Sequence, residues 1–194
     1  MTTIALFHSV LGVRPGVTDA ADRLRAAGHE VRVVDQYDGR VFDDYAEAGA
    51  YVESVGFPAL MARAVDAVRD LPDGFVAAGF SNGAGMAEHV ATQRRCGGVL
   101  LVSGALPMAV LGAPGWPAGL PAQLHRTTDD PKRSAEWDEA FAADVAAAGA
   151  PLEVFRYPGE GHLFTDPSLP AEHDPEATAL FWTRALAFVD RVTG

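Results

Sequence analysis

Phe75-Val76-Ala77-Ala78-Gly79-Phe80-Ser81-Asn82-Gly83-Ala84-Gly85 is the stretch on which the fold turns. Phe75–Phe80 is an apolar run too short for a helix and reads as a buried strand, whereas Asn82–Arg95 reads as a helix. Between them stands a G-x-S-x-G pattern, in the context where a sharp strand-to-helix turn lifts a serine hydroxyl into a cleft. Such a turn holds the serine in a strained backbone region and brings strand and helix close, so its neighbours must be small. Gly79, Gly83, Ala84 and Gly85 meet that demand. Two blander readings stand beside it: Ser81 caps the helix, or bare amides of the turn hold a phosphate.

The same alternation extends in both directions. Thr3–Phe7 reads as a first strand. A helix from Pro15 carries Val17, Ala20, Ala21, Leu24 and Ala27 on one face and stops at Gly28, and Glu30–Asp35 is a second strand. Residues 36–56 lack periodicity and read as an irregular connection with at most one short helix. Leu60, Met61, Ala64, Val65, Val68 and Leu71 mark a helix from Phe57 that ends at Pro72-Asp73-Gly74. Gly97-Gly98 breaks the Asn82–Arg95 helix, and Val99–Val102 is a fourth strand. Ala122–Thr127 and Leu152–Tyr157 are strands five and six, separated by a helix over Pro131–Ala148. A last helix, about Pro175 to Val192, places Ala177, Leu180, Phe181, Ala185, Phe188 and Val192 on one face. Regular alternation of strand and helix implies one α/β domain over residues 1–194. Its sheet is mostly parallel, of about six strands with helices on both faces, and functional loops gather at the strands' carboxyl ends.

Composition narrows the partners. A formal net charge of −11, from 15 basic and 26 acidic residues, disfavours nucleic acid and anionic membrane surfaces. No apolar run reaches the roughly 18 residues a span requires, the opening residues lack the pattern of a signal peptide, and the single Cys96 has no disulfide partner. A cytoplasmic location, as monomer or homodimer, is the expectation. No helix-spaced histidine pair or cysteine cluster suggests a metal, and Ser9-Val10-Leu11-Gly12-Val13-Arg14 matches neither a P-loop nor a dinucleotide fingerprint. No cofactor is expected.

A serine hydroxyl is a weak nucleophile near neutral pH and needs a base. His162, in Gly159-Glu160-Gly161-His162-Leu163-Phe164, lies just beyond the sixth strand. His8 also ends a strand, but its loop is better suited to donate backbone amides. The imidazole in turn needs a carboxylate at its far nitrogen. Asp129 and Asp130 both follow the fifth strand, giving the chain order serine, acid, histidine, and periodicity does not choose between them. Asp130-Pro131 also looks like a helix start, so one of the pair can be a cap. Backbone N–H groups of Val10 and Asn82 are the candidates to stabilise an oxyanion. The segment 103–121 holds four glycines and four prolines yet is too apolar for an ordinary solvated loop. Met108 and Trp116 from it, with Leu11 and Phe164, are expected to line a substrate pocket.

Gly79–Gly85, Pro121-Ala122-Gln123-Leu124-His125-Arg126-Thr127-Thr128-Asp129-Asp130 and Tyr157-Pro158-Gly159-Glu160-Gly161-His162-Leu163-Phe164 together resemble the dienelactone hydrolase family of the α/β-hydrolase superfamily, over nearly the whole chain. The resemblance implies an α/β-hydrolase fold, a Ser81–His162–Asp130 triad with the acid at Asp130 rather than Asp129, and an acyl-enzyme formed on a small carboxylic ester or lactone. The family's namesakes carry cysteine where this chain has Ser81, and a glutamate after the first strand where it has His8-Ser9-Val10. A thiolate can be held ready by charge whereas serine needs a base during attack, so the two departures are chemically coherent. With no basic residues matched to an anionic lactone, a neutral, partly hydrophobic ester is expected. A thioesterase or acyltransferase would use the same triad, and a non-catalytic binding module would keep the pocket alone.

Overall fold

The computed structural model describes residues 1–193. Six strands, β1 (Thr3–Phe7), β2 (Glu30–Val34), β3 (Phe75–Phe80), β4 (Cys96–Val102), β5 (Ala122–Thr127) and β6 (Leu152–Tyr157), pair in parallel in the order β2-β1-β3-β4-β5-β6. Side chains of a strand alternate between the two faces of the sheet, and both faces are covered. Ala5, Phe7, Phe75, Ala77, Val99, Leu101, Ala122 and Leu124 enter one core with α3 (Phe57–Asp66), α4 (Asn82–Gln93) and α5 (Ala135–Ala147). Ile4, Leu6, Val76, Ala78, Phe80, Leu100 and Val102 enter the other with α1 (Pro15–Ala26) and α6 (Pro175–Thr193). This is the α/β-hydrolase fold.

Several boundaries differ from the sequence reading, and the connection over 36–56 holds one short helix. Residues 45–55 form a regular helix, α2 (Tyr45–Val55), because the Asp44 side chain caps it by accepting from the Ala46 and Glu47 N–H groups at 2.8 and 2.9 Å. The helix from Phe57 ends at Asp66, and tight turns carry the still buried Val68 and Leu71 onward. Gly97-Gly98 lies inside β4, not before it; a Cβ on Gly98 would come within 2.9 Å of the Val192 side chain, so its bareness lets α6 pack on the strand. Helix α5 starts at Ala135, where the Ser134 side chain caps it by accepting from the Trp137 N–H. On α6, Leu180 is exposed while its predicted face-mates Phe181, Ala185 and Phe188 are buried.

Candidate active site

Strand β3 runs into α4 through Ser81, whose backbone has φ 52° and ψ −113°, a region that favours glycine. The close crossing explains the flanking residues. A Cβ on Gly79 would lie 2.0 Å from the Gly83 oxygen, and one on Gly83 would lie 2.4 Å from both the Phe7 and His8 oxygens. Ser81 occupies the N-cap position, yet its hydroxyl makes no capping bond. It reaches His162 Nε2 at 2.7 Å, and His162 Nδ1 lies 2.7 Å from Asp130 Oδ2. The carboxylate accepts at Nδ1, so that nitrogen carries the proton and Nε2 accepts from the serine O–H. Asp130 is buried, which alone would raise its carboxyl; hydrogen bonding and charge from His162, with the Lys132 N–H at 2.8 Å, reverse this and hold it below the ordinary value. Asp129 points outward and accepts from the Thr128 hydroxyl.

His8, the other histidine at a strand end, is fully buried. Its Nδ1 donates to the Ser9 carbonyl at 2.6 Å and its Nε2 accepts from the Gln36 N–H at 3.1 Å, and burial lowers its pKa. Both nitrogens are thus occupied. The close approach of Gly83 to Phe7 and His8 sets the loop containing Val10 beside the first turn of α4. Asn82 opens that helix, and the first N–H groups of a helix have no intrahelical acceptor.

Ser81, Asn82, Asp130 and His162 border a cleft of about 460 Å³. Its lining includes the apolar Phe57, Ala105, Leu106, Val110 and Trp137 and the charged Arg126, Lys132, Arg133 and Asp138. Arg126 and Arg133 share one carboxylate, Asp138, with Arg133 Nε at 2.7 Å and Arg126 Nη1 in ion-pair contact. Burial, then repulsion from Arg133 and Arg156, lowers the Arg126 guanidinium to about 10, and its Nε lacks a hydrogen-bond partner among the described residues. These cations lie in the fifth strand and the turn after it, close to Asp130 in sequence.

The expected pocket residues Leu11, Met108, Trp116 and Phe164 do not line this cleft. Leu11 and Phe164 are fully buried on the α1/α6 side, and Met108 and Trp116 on the other. Trp116 packs edge-on to Phe141 and donates its indole N–H to the Leu120 carbonyl at 2.8 Å, which turns it inward. The segment 103–121 does wall the cleft, through Ser103, Gly104, Ala105, Leu106 and Val110.

The sequence matches the profile of the dienelactone hydrolase family over residues 1–193. No curated protein matches it. Among solved structures, a dienelactone hydrolase-like promiscuous phosphotriesterase from metagenomic libraries is similar at 22% identity, covering 100% of this chain and 87% of that one, with a TM-score of 0.82. An acetyl ester-xyloside bifunctional hydrolase from Caldicellulosiruptor lactoaceticus is 16% identical (99% and 83% covered, TM-score 0.76). A thermophilic esterase from the Planctomycetes species Thermogutta terrifontis is 17% identical (98% and 83% covered, TM-score 0.72). These likenesses speak for the fold, and the family match speaks for the chemistry: the chain belongs to the dienelactone hydrolase family and is a carboxylic ester hydrolase.

Proposed function

We propose that the protein cleaves a small carboxylic ester or lactone through an acyl-enzyme on Ser81. The observation that carries this reading is the continuous chain Ser81 Oγ to His162 Nε2 to Asp130, bordering a cleft large enough for a small substrate. Ser81 Oγ attacks the carbonyl carbon while its proton passes to His162 Nε2, and Asp130 stabilises the imidazolium that results. The Asn82 and Val10 N–H groups receive the oxyanion. His162 then protonates the leaving alcohol, and a water deprotonated by the same nitrogen attacks the acyl carbon and frees Ser81. Transfer to another acceptor, or a thioester leaving group, would use the same groups.

We further propose a negatively charged substrate, where the sequence alone pointed to a neutral one. Two guanidiniums that share one carboxylate, with Lys132 also in the lining, leave room for a second negative charge, while the apolar lining suits hydrocarbon. A substrate with an apolar portion and a free carboxylate fits both kinds of lining.

Hydrolysis of 4-nitrophenyl butyrate and of its hemisuccinate counterpart tests this. Wild type should turn over both, with the larger kcat/KM for the hemisuccinate. R133A should erase about tenfold of that preference, the order expected for one charge-assisted hydrogen bond, and S81A should abolish both activities. Turnover that survives in S81A would overturn the mechanism, and a preference for butyrate would overturn the substrate class.

A further inference from the structure

We propose that Tyr45, acting through Glu172, is a positioning residue for His162, an assignment that rests on His162 being the base. The loop carrying the histidine is held at three consecutive points. Gly161 is pressed against the Glu172 backbone, where a Cβ would lie 2.0 Å from the carbonyl oxygen. The His162 carbonyl accepts a hydrogen bond from the Ser103 hydroxyl, and the Leu163 N–H donates to Glu172 Oε2 at 2.6 Å. Glu172 thus grips the loop from both its backbone and its side chain.

Tyr45, the first residue of α2, holds the carboxylate that does the gripping. Its hydroxyl donates to Glu172 at 2.9 Å to Oε1 and 3.2 Å to Oε2, and its ring stands edge-on to the His162 imidazole with centroids 6.4 Å apart. Lys132 Nζ sits 4.0 Å above the centre of the same ring, and the Lys132 backbone N–H donates to Asp130 Oδ1. One phenol therefore touches the base, the clamp on the base's loop and the turn that holds the acid. Burial first, and then the bond to Glu172, raise the phenol pKa strongly, so it remains a donor across the working pH range.

Tyr45 does not line the cleft, and its hydroxyl, unlike its ring, is bonded to Glu172, so the effect of the hydroxyl passes through Glu172 to the loop that places His162. Removing the hydroxyl leaves the Glu172 carboxylate free to leave the Leu163 N–H, and the imidazole loses its fixed approach to Ser81. Small misplacements of this kind lower the rate of the chemical step while leaving ground-state binding intact.

The test uses Y45F, E172A, the double variant and H162A, read by kcat and KM on one ester, by the rate of fluorophosphonate labelling, and by Tm. Y45F and E172A should each lower kcat and labelling rate about tenfold with KM changed less than about twofold. The double variant should be no slower than the slower single, because both act along one path. Y45F removes one oxygen and keeps the ring, so it decides the matter if E172A fails to fold. A Y45F enzyme with lower Tm and unchanged kcat would reduce Tyr45 to support of the fold. A raised KM at constant kcat would place it in substrate binding, and additive losses in the double variant would separate it from Glu172; each of these overturns the proposal. Labelling of H162A at the wild-type rate would remove the base itself, a failure distinguishable from the others by the variant that reports it.

Discussion

Ser81 holds a positive φ without the freedom of glycine, and the surroundings over-determine it. Its N–H donates to the Val102 carbonyl at 2.7 Å, its carbonyl accepts from the Ala84 N–H at 2.9 Å, and Gly79 and Gly83 admit the crossing. This conformation was legible in the sequence because the demand for small neighbours is local. Ser81 and His162 could be read in the same way, each lying just past an apolar run. Asp130 could not be separated from Asp129 by pattern, since a single turn decides which carboxylate is buried. The pocket was the least legible part: an apolar side chain in residues 103–121 satisfies either core or cleft, and Met108 and Trp116 went to the core. Arg126 reads as one position of a buried strand, and its place in the cleft follows only from which strand end it occupies. At this scale, D130N tests the role of the acid. The amide can present N–H to Nδ1 and favour the wrong tautomer, so kcat should fall on the order of a thousandfold or more, with KM nearly unchanged, in steady-state kinetics. A fall below tenfold would remove Asp130 from the triad.

Helix α4 does more than present Ser81. Two turns along it, Glu88 is fully buried and accepts the Leu106 N–H at 3.1 Å through both oxygens, while Asp144 on α5 accepts the Met108 N–H at 2.8 Å. Two helices thereby pin the segment that walls the cleft. Burial raises the Glu88 carboxyl well above its ordinary 4.5, and the nearby Asp144 charge adds to this, although the Leu106 N–H opposes it. Above the unfolded value the unfolded chain has released this proton while the folded chain keeps it, so the folded state binds more protons and stability falls as pH rises through that window. E88Q keeps an acceptor and removes the titration, so its Tm advantage over wild type should widen as pH rises from about 5 to about 8. A gap that stays constant would show that Glu88 is not the titrating group. Most elements could be read from periodicity. Helix α2 could be placed only loosely, as one short helix within 36–56, because its signal is the Asp44 cap rather than an apolar stripe, and α5 begins later than read because Ser134 caps it. Tyr45, the first residue of α2, therefore did not stand out in the sequence.

Six parallel strands end on the same side of the molecule, and that shared direction assembles the site. Phe7, Phe80, Val102, Thr127 and Tyr157 close β1, β3, β4, β5 and β6, and the residues just beyond them supply the Val10 loop, Ser81, Ser103, Asp130 and His162. The alternation of strand and helix made the parallel sheet legible, and with it the edge on which to look. Overall charge was a poorer guide: a chain of net −11 carries Arg126, Lys132 and Arg133 in the lining of its cleft, because net charge is a sum and a cleft is a place. Among the described residues, no helix is long and apolar enough to cross a membrane. The central claim, an activated Ser81, is tested most directly by treating the intact protein with a fluorophosphonate and mapping the adduct by mass spectrometry, with S81A and H162A alongside. The account predicts one adduct, on Ser81, absent in S81A and much slower to form in H162A; an unlabelled wild type, or an adduct that persists in S81A, would contradict it.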